Sequence, residues 1–331
     1  MRNSRRKWIL LGCLLLLAAV LVFTPLAGSQ SLDYRQVLAY LSGEQTPDGL
    51  IFFRIRLPRI FLGVLTGASL AVAGVVFQAL LRNPLATPYT LGVASGSALG
   101  ALLVIKSGLY FSFLGFSSVQ LAAFAGSLLT VLLVYAISRR AGRISIYGMI
   151  LAGVTISFFF SALILILHYL ADFTETQQMI RWTMGGLDIV EYGVLLRTLP
   201  LLLVSFLVLW GMSSTFNILS TSEETALSKG VDVPRVQILA FVIASLLTGS
   251  VVALSGPIGF VGLIIPHLLR LLGGPDHRYL IPASILLGGG FLALSDTLAR
   301  TLFAPVDLPV GIITTLLGGP FFLWLLIQKR S

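Results

Sequence analysis

The chain has 331 residues, of which 56% are hydrophobic and only 11% charged, and its mean hydropathy is +0.97. Soluble domains carry about 25% charged residues, so the bulk of this chain must face lipid or itself, and a soluble globular fold is excluded. The formal net charge is +9, yet the basic residues stand singly between apolar runs. That pattern marks membrane topology rather than a nucleic-acid surface.

In chain order, Arg2, Arg5, Arg6 and Lys7 precede an apolar run, Trp8–Ala27, that has the length of a full membrane span rather than a signal core. It is expected to be an uncleaved first helix. It holds Cys13, the single cysteine, which excludes a disulfide framework. Further apolar runs follow at Ile60–Leu81, Thr90–Ile105, Val119–Ile137, Ile146–Leu167, Val194–Trp210, Val236–Leu254, Gly259–Leu272, Ile281–Leu302 and Val310–Ile327. The expected fold is an all-α membrane protein of about ten transmembrane helices, a single domain over residues 1–331. The third and eighth runs are short and rich in glycine or broken by proline. Non-helical backbone at membrane depth survives only where protein or a cavity satisfies it, so these two point towards a pathway.

Ten spans with both termini cytoplasmic place 14 Lys/Arg and 4 acids inside, against 8 Lys/Arg and 8 acids outside, with Asp296 left within a helix. This is the positive-inside asymmetry, and an odd number of spans would scramble it. Two outer segments are long enough to fold: 28–59, polar and mixed in charge, and 172–191, where residues 179–187 suggest a short interfacial helix with Trp182 at the headgroups. The inner segment 213–235 suggests a helix capped by Thr221 or Ser222, with Glu223 and Glu224 in its first turn and Gly230 ending it. A loop of this size among short ones is expected to dock a partner.

Motifs for chemistry are missing. No G-x-x-x-x-G-K-[ST] loop occurs, and none of the four lysines follows anything like one. His168, His267 and His277 are not at metal-ligand spacing, and no H-E-x-x-H or G-x-S-x-G in its proper context is present. No catalytic residue, metal site or cofactor is expected, and the chain is expected not to be an enzyme. Asp296 could serve an ion-coupled transporter, but Arg300 lies one turn on, and an i, i+4 ion pair is the plainer reading. Gly63, Gly67, Ala71 and Gly74, then Gly96 and Gly100, then Gly288, Gly289 and Gly290, are expected to let helices pack closely.

Several stretches resemble the permeases of FecCD-type ABC importers, which carry iron–siderophores, haem and cobalamin. They are Arg56-Leu57-Pro58-Arg59, residues 67–74, the run Gln78 to Pro88 with Arg82-Asn83-Pro84-Leu85, and residues 91–96. The match continues through Arg181-Trp182-Thr183-Met184-Gly185, Gly256 to His267, Gly274-Pro275-Asp276-His277-Arg278 and Leu308 to Thr314. It covers nearly all of residues 54–326, in order.

The resemblance implies a homodimer with the path at the dimer axis, in the inner membrane of a bacterium. It also implies two cytoplasmic ABC ATPase subunits and an external binding protein that delivers the metal chelate. Arg56, Arg59 and Arg300 take the family's places for docking acidic side chains of that protein. Asn83 and Leu85 take the inner gate, with a second gate element at Ser145, Ile146 and Tyr147. Ile146 and Tyr147 are bulkier than the small hydroxyl residues of the cobalamin permease, which counts against cobalamin. Residues 221–235 resemble the ATPase-coupling helices, with Thr221, Glu223 and Glu224 at the start and Ala226, Leu227, Gly230 and Val231 as the apolar face. His267 belongs to a structural motif. The mechanism implied is alternating access, with ferric siderophore as the first candidate cargo and haem and cobalamin after it.

Overall fold

The computed structural model describes residues 2–28, 30–140, 143–187 and 191–328. Lys329 and Arg330 of the basic tail, residues 141–142 of the basic turn and residues 188–190 of the 172–191 segment lie outside the described residues. Helix α1 (Arg2–Phe23) is followed by α2 (Tyr34–Leu41), α3 (Pro47–Leu50) and a π-helical segment (Ile51–Arg56) that runs straight into α4 (Leu57–Leu80). Next come a 3₁₀ turn (Pro88–Leu91), α5 (Val93–Ser107), a hairpin of β1 (Ser112–Phe113) and β2 (Phe116–Ser117), and α6 (Ser118–Ser138). A second hairpin, β3 (Arg139–Arg140) and β4 (Arg143–Ile144), leads to α7 (Ile146–Leu170) and α8 (Phe173–Thr183). Then α9 (Tyr192–Gly211), α10 (Ser213–Leu219), α11 (Glu223–Ser228), α12 (Val233–Ser255), α13 (Val261–Gly273), α14 (His277–Leu302) and α15 (Val310–Gln328) complete the chain.

Among the described residues seven helices are long and apolar enough to cross a membrane, and α5, α13 and α15 are shorter apolar helices. Together they are the ten spans read from hydropathy. One boundary differs. The second span does not begin near Ile60 but belongs to a continuous helix from Pro47, so that with α2 most of the expected outer loop 28–59 is helical. Polar residues at its start hide this from a hydropathy reading. The π segment has a local cause: the Pro58 ring would clash with the carbonyl four residues back, and a widened turn just before the proline relieves it.

Helix α4 is the axis of the bundle, with almost every residue from Thr66 to Leu80 buried, whereas α1 and α7 lie at the periphery. Between helices in lipid there is little hydrophobic drive, so backbones approach through small residues. A Cβ on Gly67 would sit 2.2 Å from the Gly288 carbonyl oxygen, and one on Gly126 would sit 2.1 Å from that of Gly96. The small-residue stripes therefore mark the α4–α14 and α5–α6 crossings. Cys13 lies buried in α1 against the core.

The break before α13 obeys the rule for irregular backbone at depth. Gly256 adopts φ +65, ψ −175, a conformation only glycine holds comfortably, and a Cβ there would meet the Trp182 carbonyl oxygen at 2.5 Å. Its neighbours are satisfied by protein. The Ser255 carbonyl accepts from the Gly186 amide at 2.8 Å, the Ile258 carbonyl from the Tyr89 hydroxyl at 2.6 Å and the Gly262 carbonyl from Gln78 Nε2 at 3.1 Å.

Candidate functional site

Two ends of the bundle carry the polar chemistry. At the end where α1 begins, the chain leaves α4 through Arg82, in the left-handed region at φ 47, and makes a tight turn in which Asn83 Oδ1 accepts from the Leu85 amide at 2.9 Å. Leu85 is exposed at the tip, so the expected gate loop offers an apolar side chain on a hydrogen-bonded turn. Ser145 caps α7, its hydroxyl accepting from the Gly148 amide at 3.1 Å, with Ile146 half-buried and Tyr147 exposed. Beside them a cavity of about 360 Å³ opens between α6 and α7, lined by Ser138, Ser145, Tyr147 and Thr155 among aliphatic neighbours. Asn83 and Leu85 thus lie on one loop of this end and Ser145–Tyr147 on another.

The expected coupling helix is short and sharply bounded. Ser222, not Thr221, is its cap, accepting from the Thr225 amide at 3.0 Å, and Glu223 and Glu224 fill the first turn. It closes with Gly230 at φ 76. The Gly230 amide donates to Leu227 O at 2.9 Å and the Val231 amide to Ala226 O at 3.0 Å, the paired bonds of a Schellman motif. The four expected apolar positions do not share an exposed face. Ala226 is fully buried and Val231 half-buried, because the Schellman closure packs them inward, while Leu227 and Gly230 face out.

Sequence reasoning missed the link between these elements. Arg82 Nη2 meets Glu223 Oε2 at 3.0 Å, tying the loop after α4 to the first turn of α11. It also missed Asp276, the cap of α14. Its carboxylate accepts from Arg6 Nη1 at 2.7 Å and Asn217 Nδ2 at 2.9 Å, joining α1, α10 and α14. Burial would raise this carboxyl, but the hydrogen bonds from Asn217, the Arg278 amide and Arg6 outweigh it and hold it below its ordinary value. Asp followed by His-Arg at a helix start was the available signal, and it spoke only of capping.

At the opposite end, the three arginines implied by resemblance are all bound within the chain. Arg56 is 5% exposed and donates to the carbonyls of Pro25, Leu26 and Gln30 at 3.0, 3.2 and 2.5 Å. Arg59 grips Asp296 with two nitrogens, and Arg300 Nε reaches the same carboxylate at 3.2 Å, confirming the i, i+4 pair. Asp307, half exposed, approaches Arg59 at 3.6 Å. Helix α8 flanks this end. Its Asp172–Glu175 capping box and the Lys106–Glu175 ion pair at 2.7 Å fasten it to the end of α5. The Lys106 hydrogen bond foremost holds the Glu175 carboxyl below its usual value.

His267 packs edge-on against Phe321 and Phe322, and His277 Nδ1 lies 2.8 Å from Asn217 Oδ1. Among the described residues no group of three or more His, Cys, Asp or Glu could hold a metal ion.

Among the described residues, ten packed apolar helices with irregular backbone beside the central axis define a multi-pass membrane protein. The solved inward-facing conformation of a metal-chelate type ABC transporter superposes with a TM-score of 0.84 at 34% identity, covering 97% of this chain and 99% of that one. The chain belongs to the FecCD transport family, which it matches over residues 14–328. It is an ABC importer permease and has no ATPase of its own. It is 38% identical to the hemin transport system permease protein HmuU of Yersinia pestis, covering 98% of this chain and 96% of that protein. It is 37% identical to the molybdate import system permease protein MolB of Haemophilus influenzae, over 95% and 94% respectively. Near-equal identity to permeases named for such different cargoes leaves the substrate open.

Proposed function

We propose that the chain moves a metal chelate, a ferric siderophore first among candidates, across a bacterial inner membrane by alternating access. Two copies form the path at their shared axis, with both termini cytoplasmic. Two cytoplasmic ABC ATPases grip the exposed side of α11, where Leu227 stands out beside Gly230. An external binding protein docks at the end bearing Arg56, Arg59 and Arg300. The observation that carries this reading is the Arg82–Glu223 pair. A push on α11 reaches the turn of Asn83 and Leu85 through one ion pair and one loop.

The likeness to a metal-chelate type transporter supports the chelate, and the hemin permease relative supports haem as the second reading. The test is direct. The cognate binding protein is titrated with ferric siderophores, haem, cobalamin and molybdate, and the bound species is then supplied to proteoliposomes holding the permease and its ATPase. ATP-dependent uptake of a ferric siderophore is expected. Refusal of all chelates with binding of an oxyanion sinks the cargo assignment but leaves the permease. Uptake by the permease alone, driven by an ion gradient, sinks the coupling itself.

A further inference from the structure

A cavity of about 250 Å³, almost wholly apolar, opens between α6, α9 and α12. Phe113, Phe116, Phe124, Leu201, Ala253 and Leu254 line it, and Arg197 is the one charged residue among its described lining. The lining residues lie within roughly two to three helical turns of their helix ends, on the side away from the start of α1. An apolar cavity of about 150 Å³ already takes a benzene-sized group, so this one has room for a stretch of hydrocarbon chain.

Three features at its mouth are unusual together. First, Arg197 is exposed and forms no ion pair among the described residues; it donates to the Leu114 carbonyl. Arg197 stands about one and a half turns into α9, where an arginine snorkels to the headgroup level and takes a polar partner there. Second, that carbonyl is presented by a two-residue turn in which Leu114 (φ 50) and Gly115 (φ 75) both sit in the left-handed region. The φ of Gly115 favours glycine there, and an added Cβ would lie 1.9 Å from Arg197 Nη1, so the guanidinium would have to swing off the turn. A leucine in that conformation is strained, and such strain gathers where backbone is held for a purpose. Third, the approach to the turn is conspicuously apolar and uncovered: Leu109, Tyr110, Phe111, Phe113 and Leu114 are each 60% exposed or more. A hairpin of this kind belongs in the boundary layer of a bilayer.

From these features we infer that this corner is a binding site for an anionic phospholipid. The hairpin lies among the headgroups, the phosphate sits on the free donors of Arg197, and one acyl chain enters the cavity. Gln120 also lines the cavity, and because its amide oxygen accepts from the Ser117 amide at 2.9 Å its NH2 is the end left to donate. The charge selects an anionic headgroup, and the cavity selects a lipid over a free phosphate. The site is separate from the expected gate and from α11, so it stands whether or not the transport reading does.

The test uses the full chain purified in mild detergent, incubated with phosphatidylglycerol or phosphatidylcholine and examined by native mass spectrometry. The wild type is expected to retain phosphatidylglycerol in preference to phosphatidylcholine. Arg197→Gln should lower phosphatidylglycerol retention about fivefold, the effect of one basic residue against an anionic surface, while Arg197→Lys should keep most of it. Ala253→Phe fills the cavity and should lose both lipids. Equal retention in wild type and Arg197→Gln overturns the proposal. Displacement of the bound lipid by soluble glycerol phosphate also overturns it, since the headgroup alone would then account for binding. Because Arg197 is exposed, its variants are judged on folded protein even where the Ala253 variant fails to assemble.

Discussion

Arg59 closes on Asp296 as a fork, Nε to Oδ2 at 3.0 Å and Nη2 to Oδ1 at 2.9 Å, joining α4 to α14 at the end of the bundle away from the start of α1. The carboxylate is 1% exposed and also holds Arg300. One acid therefore neutralises parts of two arginines, and Asp307 supplies the balance from the exposed side of Arg59.

Removing the shared acid should cost far more than removing either arginine. Asp296→Ala leaves the buried Arg300 and the partly buried Arg59 without their common partner, and breaking a buried pair costs about 3–5 kcal/mol. Asp296→Ala with Arg300→Ala should recover part of the loss, since the uncompensated charge goes too. Thermal unfolding in detergent of the wild type, the two single variants and the double variant measures this. Strict additivity of the two single effects would show that the pair is not coupled.

The Arg82–Glu223 pair predicts the reverse: little change in stability and a change in transport. Both side chains are well exposed, and such pairs contribute roughly 0–1 kcal/mol. Arg82→Glu and Glu223→Arg should each leave the melting temperature near that of the wild type while lowering ATP-driven uptake by up to about fivefold. The charge-swapped double variant should restore uptake. Failure of the swap to restore it would mean that the pair is incidental and that α11 acts on the gate through packing alone.

These two pairs also show what a sequence can disclose. Asp296 and Arg300 are one turn apart on a helix, so their meeting follows from helical geometry. The ten apolar runs, the Ser222 cap and the Gly230 stop are equally local. Arg59–Asp296 and Arg82–Glu223 each span well over a hundred residues, and no local period encodes them. The same limit explains Ala226: helical spacing puts it beside Leu227 and Gly230, but the Schellman closure after six helical residues turns it into the core. Arg56 was legible as a basic residue at an outer rim. The carbonyls that bind it come from the chain leaving α1, which hydropathy cannot position.

Asp276 sets a pH dependence. Its folded-state value is lowered, so at a given acid pH the unfolded chain binds more protons than the folded one. Its stabilising contribution is complete above the ordinary carboxylate value of about 3.9 and is lost as pH falls through the lowered folded value. Melting temperature should therefore fall on acidification below about pH 4 in the wild type, and less steeply in Asp276→Asn. Parallel curves for the two proteins would place the acid sensitivity elsewhere.

The crossing of α4 and α13 sets the tightest packing test. A Cβ on Gly74 would lie 2.0 Å from the Gly262 carbonyl oxygen, which is itself held by Gln78 Nε2 from the next turn of α4. Neither backbone can retreat without breaking that bond or opening the irregular stretch that precedes α13. Gly74→Ala, a single added methyl, should thus destabilise by at least about 1–3 kcal/mol, the usual cost of overpacking. Gly12 in α1 is the control, because nothing lies within 4 Å of its added Cβ. Gly12→Ala should be neutral or gain about 0.5–1 kcal/mol from its better helix propensity. If melting in detergent showed equal effects at the two positions, helix propensity and not the close approach at Gly262 would govern Gly74. A large loss confined to Gly74 would instead fix that glycine as the residue that lets the broken helix lie against the axis of the bundle.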